Sequence, residues 1–309
     1  MTGLEIFTYL IEQNIEEQYI HPDQPMSDYT SFHAGGCALC MVEVHNLDEL
    51  RRVLKVIRRE YLPYIILGNG TNILVEDKGY SGVAIMLKGD FEKIEFSGQE
   101  AICGGGASIA KTARMAAEQS LSGMEFACGI PGTVGGAIKM NAGCFGSEVS
   151  KIVKKVKALT TAGEEITLRP YELNFKYRSS LFFEKKYTVL EAVFGLEPGD
   201  SEQINAQIQE FSRTRHEKQP LEFPNAGSIF KNPKGDSAGR LIEAAGLSGF
   251  GVGGAEVSSK HCGFIINKGN ATASDITTLI GHVKRTVYKN SGIMLETELI
   301  VLGHPKRFR

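Results

Sequence analysis

The chain has 309 residues, 42% hydrophobic and 23% charged, and its 34 Lys and Arg against 36 Asp and Glu leave a formal net charge of −2. That is an ordinary globular composition, long enough for two or three units, and it supplies no global field for a nucleic acid or an anionic membrane surface. No apolar run approaches the roughly 20 residues a membrane span needs, and the opening "MTGLEIFTYLIEQNIEEQ" carries acidic residues and no small-residue cleavage site, so a cytosolic protein is expected.

In chain order, the first expected element is an amphipathic helix over 4–18. "TSFHAGGCALCMVEV" then reads as a glycine turn entering a strand. Cys37 and Cys40 form its CxxC. With no second pair and no clustered histidines they read as two small apolar residues, not as a redox pair or half a metal site, and no metal is expected. A helix over 47–60 carries Leu47, Leu50, Val53, Leu54 and Ile57 at helical spacing. "YIILGNGTNILVEDKGYSGVAIML" alternates short apolar runs with glycine turns, and an Ala-rich helix covers 108–120.

Residues 129–146 hold six glycines and read as a patterned loop. Strand-like alternation resumes at "IVKKVKALT" and "EEITL", followed by "FKYRSSLF" and a strand at "YTVLEAVFGL". The break "EPGDS" precedes a long helix over 201–218 and is the best domain boundary. "NAGSIFKNP" is built of turn formers, and taken alone its Ser228 only caps a turn. "SAGRLIEAAG" is a short helix with Gly246 at its C-terminal cap, and "CGFIIN" is a buried strand. "TASDITTLIGHVKRTVYKNSG" is a helix capped by Thr or Ser and ended by Gly292, and "IMLETELIVLG" closes the chain as an alternating strand. Helices and strands alternate throughout, which makes the class α/β or α+β.

Two glycine-rich stretches could receive phosphates: Gly68-Asn69-Gly70-Thr71-Asn72 and "GIPGTVGGAIKMNAG" over 129–143, with "GGGAS" at 104–108 as a third. Glycine lets backbone N–H groups turn toward an anion and lets a pyrophosphate come close. Neither stretch is the Rossmann fingerprint, and no lysine follows in the phosphate-loop pattern. Dinucleotide binding outside the classical folds is therefore expected.

In order along the chain, "FHAGGCA", "LGNGTNILVEDKGYSGVAI", "GMEFACGIPGTVGGAIKMNAGCFGSEV", "FKYRSSLF", "NAGSIFKNP", "AGRLIEAAGLSG" and "HCGFIINKGNATASDI" resemble the UDP-N-acetylenolpyruvoylglucosamine reductase family, flavoenzymes of peptidoglycan precursor synthesis. The resemblance spans roughly residues 30 to 304. It implies an α+β FAD-binding fold of the vanillyl-alcohol-oxidase type, with two α+β subdomains and a C-terminal α+β substrate domain. The implied division is 1–199 for FAD, in subdomains of about 1–80 and 81–199, and 200–309 for substrate. The last strand is expected to return to the first subdomain.

The resemblance further implies non-covalent FAD, with its pyrophosphate on Gly68, Asn69, Gly70, Thr71 and Asn72 and on Gly129, Ile130, Pro131, Gly132, Thr133, Gly135, Gly136 and Ala137. NADPH would reduce the flavin. A monomer would then reduce UDP-N-acetylglucosamine enolpyruvate, with hydride delivered to the terminal vinyl carbon and a proton to its neighbour. Ser228 matches the family's proton donor, and Arg178 matches the arginine that meets the substrate carboxylate, which its planar fork suits. "LETEL" offers both Glu296 and Glu298, which period-2 geometry puts on one face of a strand; the family's motif implies Glu298, as a stabiliser of the developing enolate. Asn232 and Lys218 match positions that contact the UDP-sugar, and Lys231 is a second candidate for that part. The histidines, His216 and His261 included, have no ligand-like partners in sequence and read as structural.

The chain departs from the family's longer class. "SLFFEKKYTVLEAVFGL" is too short to carry the tyrosine-bearing insertion, so the shorter class is implied and Tyr187 is not assigned as a lid. Thr71 keeps a hydroxyl where serine is commoner, whereas Phe145 removes any polar contact a tyrosine would make there. Two other readings stay open. An oxidase on the same fold would call for a covalent flavin link, for which Cys128 and Cys144 are the nearest candidates. A non-catalytic flavin-binding protein would not need Ser228, Arg178 and Glu298 together.

Overall fold

A computed structural model of the chain describes residues 1–303; residues 304–309, the tail of the expected substrate unit, lie outside them. Helix α1, Gly3–Glu12, starts at a capping box in which Thr2 and Glu5 bond each other's backbone N–H. It stops short of the expected 4–18 because Asn14 turns left-handed, at φ 54°, and Ile15 N–H closes back on Leu10 O at 3.1 Å. Helix α2, Leu47–Arg59, is capped by Asn46 and carries Arg58 and Arg59 in its last turn, where they complement the dipole.

The buried face of α2, with Leu50, Val53, Leu54, Val56 and Ile57, packs on the first sheet. That sheet runs in the order Ile20–Pro22, Ala38–Val44, Tyr80–Leu87, Tyr64–Leu67. The first pair is antiparallel and the other two pairs are parallel. Cys40 is a core residue of Ala38–Val44, and Cys37, just before the strand, is exposed.

The second sheet is antiparallel, ordered Glu165–Leu168, Val153–Leu159, Thr188–Gly195, Glu100–Gly104, Ile94–Ser97. Helix α3, Ile109–Glu118, is capped by Ser108. The stretch 129–146 is not one loop: it contains helix α4, Val134–Met140. Thr133 caps α4 by accepting from Gly136 N–H, and Asn141 ends it in the left-handed region at φ 43°. Glycine is a poor helix former, which hid α4 in the sequence; burial of Val134, Ala137 and Ile138 holds it. After the short helix α5, Leu181–Glu184, comes helix α6, Ser201–Lys218. Although the composition break lies before α6, this helix packs on the second unit, against α3 and the turn Glu125–Gly129. Its Phe211 stacks on Phe145 with ring centroids 4.1 Å apart.

The third sheet is ordered Asn225–Ser228, Phe264–Asn267, Ala255–Val257, Gly251–Val252, all antiparallel. Helices α7, Ala238–Ala244, and α8, Ala273–Ser291, cover it, with Gly246 and Gly292 left-handed just beyond their ends. The closing segment is not one alternating strand. Residues 296–298 bond back to 229–231, with Lys231 N–H on Glu296 O and Glu298 N–H on Ile229 O, at 2.9 and 2.8 Å. Only Ile300–Leu302 is strand, paired parallel with Ile73–Val75. One segment thus serves two sheets, and the change of partner interrupts its pleat. Phe32, Ala34 and Leu74 enter the third core, which joins the first and third units.

Candidate active site

Two loops distant in sequence are tied together at one point. The Asn69 side-chain amide donates to Pro131 O at 2.9 Å. A Cβ at Gly68 would stand 2.7 Å from Thr133 Oγ1, and Gly70, at φ 62°, would drive one to 1.9 Å from Tyr29 O. Bare backbone is therefore required at both glycines of the first loop. The loops border a cavity of about 320 Å³ lined by Gly68, Asn69, Gly105, Gly106, Thr133, Gly135 and Gly136, with Tyr64, Lys139, Phe183 and Tyr187 among its other walls. The "GGGAS" turn thus joins the two principal loops. A Cβ at Gly105 or Gly106 would come within 2.2 Å of Val189 O or Leu87 O.

The remaining residues that the sequence suggested for a pyrophosphate are not among the cavity's lining residues. Asn72 turns its amide to Glu298 O at 3.2 Å, so it holds a neighbouring loop. Ala137 is on the buried face of α4, and Ile130 packs against the second core. Gly129 lies against Arg215, whose Cδ a Cβ would meet at 2.7 Å. Pro131 is the acceptor for Asn69; Gly132 and Thr71 face each other, with a Cβ at Gly132 lying 4.0 Å from Thr71 Oγ1.

Ser228 ends its strand exposed, at the mouth of a second cavity of about 370 Å³ that Phe230, Asn232, Ser237, Arg240 and His261 also line. The turn before it is closed locally: Asn225 accepts from Gly227 N–H at 2.9 Å and donates to Phe223 O at 2.8 Å. Gly227 is left-handed at φ 73°, with open space where a Cβ would stand. The hydroxyl is presented beside a bare, unobstructed backbone.

Arg178 sits in the tight turn Lys176–Ser179 at a left-handed φ of 54°. Its Nη1 donates to Gly143 O at 2.9 Å. Its Nε lies 3.3 Å from Glu298 Oε1 but is buried with no acceptor in line. Burial pushes the Glu298 carboxyl above its ordinary range, and the charges of Arg178 and Lys231 offset only part of that. Of the two acids, Glu298 faces Arg178, while Glu296 is exposed and holds Lys231 Nζ at 2.5 Å. Because Glu298 N–H bonds to Ile229 O, the acid lies one residue from Ser228 across the backbone pairing.

Asn232 lines the Ser228 cavity, but its Oδ1 accepts from Ala238 N–H at 3.0 Å and so helps start α7. Tyr177 OH approaches its backbone N–H at 3.4 Å. Lys218, on the last turn of α6, is exposed and lines neither cavity. Tyr187 lines the glycine-loop cavity and not that of Ser228. Sequence reasoning treated His261 as structural; it does accept from Gly263 N–H at 3.1 Å, yet it also lines the Ser228 cavity, and burial pushes its pKa down. Ser237, Arg240 and Lys139 went unnoticed, since nothing in their spacing marks them. The thiols of Cys128 and Cys144 are pushed up by burial, Cys128 to about 11, which keeps both protonated and poorly nucleophilic.

Comparisons with known proteins agree along the whole chain. Residues 219–302 match the family "UDP-N-acetylenolpyruvoylglucosamine reductase, C-terminal domain", and residues 38–169 match "FAD binding domain". A Clostridium kluyveri protein named UDP-N-acetylenolpyruvoylglucosamine reductase is 44% identical over 98% of this chain and 99% of its own. The crystal structure of UDP-N-acetylenolpyruvylglucosamine reductase from Thermus caldophilus superposes with a TM-score of 0.80 at 35% identity, covering 90% of this chain and 97% of that one. Phl p 4, a glucose dehydrogenase, is similar at 12% identity and a TM-score of 0.51, over 64% of this chain and 44% of its own; that likeness concerns the fold alone.

Proposed function

The chain belongs to the UDP-N-acetylenolpyruvoylglucosamine reductase family, and we propose that it reduces UDP-N-acetylglucosamine enolpyruvate to UDP-N-acetylmuramate with NADPH as electron source. It is an FAD-dependent oxidoreductase of peptidoglycan precursor synthesis. The observation that carries the reading is the meeting of Arg178, Glu298 and the Ser228 turn at one edge of the third sheet.

The residues fit the cofactor. Glycines of two turns and of the first turn of α4 line one cavity, and the Cβ positions at Gly68, Gly105 and Gly106 are closed to any side chain. Such bare backbone suits a pyrophosphate, and the protonated thiols at Cys128 and Cys144 support a non-covalent hold. When bound, FAD supplies the hydride that NADPH provides, to the terminal carbon of the enolpyruvyl group.

Charge then develops on the carbon bearing the carboxylate and spreads into that carboxylate. Arg178 would hold the carboxylate with a guanidinium already anchored by its Nη1 bond to Gly143 O; preorganised donors cost no reorganisation during the reaction. Glu298, whose pKa burial raises, would in its neutral form donate a hydrogen bond to the developing enolate. Ser228 would protonate the carbon. A hydroxyl is a weak acid, and it serves here because the carbanion is strongly basic. Asn232 would orient the UDP-sugar from the Ser228 cavity. Lys218, which lines neither cavity, is the weaker of the two substrate contacts.

We infer that α6 goes with the flavin half. Its packing and the start of the matched C-terminal family region at residue 219 support a boundary after Lys218. We infer also a cytosolic monomer. No helix among the described residues is long and apolar enough to cross a membrane.

An anaerobic half-reaction tests the function. NADPH should bleach the bound flavin, and UDP-N-acetylglucosamine enolpyruvate should restore its colour without oxygen. Bleaching with no return would refute the assigned acceptor.

A further inference from the structure

Lys139 is a cation without a counter-charge. It stands near the end of α4 and lines the glycine-loop cavity. Its ammonium lies 5.2 Å from the centroid of the Phe183 ring. No carboxylate or hydrogen-bond acceptor among the described residues pairs with its Nζ. Burial alone accounts for the downward push on its pKa. A contact with an aromatic face offsets only part of the cost of withdrawing an ammonium from water.

The other charges on that cavity do not neutralise it. Lys88 and Glu92 pair with each other at 3.4 Å, and Lys186, which is exposed, adds a further cation. The wall therefore carries an excess of positive charge and no free anion. Helical spacing explains how Lys139 reaches the loops. Gly135 and Gly136 lie four and three residues before it, on the same face of α4, and helical side chains lean toward the N-terminus. Two residues without Cβ atoms leave that face bare for its stem. All three line the cavity together with Gly68, Asn69 and Thr133.

We propose that Lys139 is the counter-charge for the pyrophosphate of the bound cofactor. This rests on reading the glycine-loop cavity as the FAD site. The pyrophosphate brings two negative charges; the N–H groups of Gly105, Gly106, Gly135 and Gly136 are already bonded within the protein, so neutral donors come from the Gly68–Asn69 turn and Lys139 supplies the compensating cation. The cost of keeping Lys139 unpaired in the empty protein is then released on binding.

The test compares charge with shape. Apo-protein is titrated with FAD at several salt concentrations, following flavin fluorescence. Lys139→Met should weaken FAD by about 10- to 100-fold, the scale of one charge-assisted hydrogen bond, and should flatten the salt dependence. Lys139→Arg should stay within about threefold of wild type. Equal weakening by Met and Arg would assign Lys139 to cavity shape, and no weakening by Met would remove it from the site; either overturns the proposal. A second measurement needs no variant. Bound FAD should protect Lys139 from amine acetylation read by mass spectrometry, and an unprotected Lys139 at saturating FAD would be an equally clear refutation. A wild-type protein that binds no FAD would refute the cofactor reading itself, which is a separable result.

Discussion

Arg178 Nε stands 3.3 Å from Glu298 Oε1, with the two side chains 25% and 14% exposed. The pair joins a turn of the second unit to the closing segment of the chain, and it lies beside Ser228 through the bond from Glu298 N–H to Ile229 O. Burial dominates the pKa of the acid and raises it. A group whose folded pKa is raised stabilises the fold below its unfolded pKa of about 4.3 and loses that contribution as pH rises through the folded value. Glu298→Gln mimics the neutral acid. Its melting temperature should therefore gain on wild type as pH rises above about 4, while turnover falls less than in Glu298→Ala, which removes the donor and should lose about 10²- to 10³-fold. A melting difference that does not change with pH would contradict the raised pKa.

Ser228→Ala should separate the two half-reactions. Reduction of the flavin by NADPH should proceed at the wild-type rate, because the hydroxyl takes no part in it. Reoxidation by the enol ether should slow by about 10²- to 10⁴-fold, the range for a removed general acid. Stopped-flow absorbance measures both. Loss of both half-reactions in a folded, flavin-loaded variant would give Ser228 a different role.

Arg178→Lys keeps the charge and loses the fork. A lysine cannot hold Gly143 O and a substrate carboxylate as one planar donor set does. KM for the enol ether should rise and kcat should fall, with kcat/KM down by about 10²-fold, or about 2.7 kcal/mol. Unchanged steady-state kinetics would place the substrate carboxylate elsewhere.

Asp77 clamps the first unit to the third. Its carboxylate accepts from Ala273 N–H, Ser274 N–H and Ser274 Oγ, at 2.7, 2.9 and 2.5 Å, at the start of α8. Burial pushes its pKa up, but the Ser274 hydroxyl and the two N–H donors outweigh that and hold it below the ordinary value. The contribution is present above the unfolded pKa of about 3.9 and is lost as pH falls through the folded one. Asp77→Asn should therefore cost about 0.5–1 kcal/mol at pH 7, given the exposure of the site. The gap from wild type should close below about pH 4. Denaturant unfolding at both pH values checks it.

Asn69→Ala removes the strut between the two principal glycine loops. FAD should bind about fivefold to tenfold more weakly, as expected for one lost neutral hydrogen bond of about 1 kcal/mol. The apo-protein should melt nearly as wild type, since the amide lies at an exposed site. Equilibrium dialysis of FAD against a thermal melt distinguishes the two.

Much of the site was legible before any coordinates. Ser228, Arg178 and Glu298 are what the family resemblance implied for the proposed site, and the glycine loops follow from close approaches and backbone conformations that favour glycine, as at Gly70. What escaped the sequence were residues whose roles depend on partners far along the chain. Lys139 reads as one more residue of a glycine-rich loop until its cavity is seen, and His261 reads as a structural histidine until its turn is brought to Ser228. Helix α4 was hidden because propensity counts glycines against it, whereas packing of Val134, Ala137 and Ile138 decides it.

The sequence by itself determined the mixed helix and strand class, the long helices with their caps and the flavin-type loops, because these rest on local backbone preference. Only the tertiary structure decided which acid of "LETEL" is buried, since period-2 spacing puts both on one face and only the neighbours Arg178 and Lys231 tell them apart. It decided too that α6 packs with the second unit and that the final strand pairs with Ile73–Val75. Those outcomes depend on which apolar faces find each other across the chain, and burial of that kind is non-directional, so no local pattern records it.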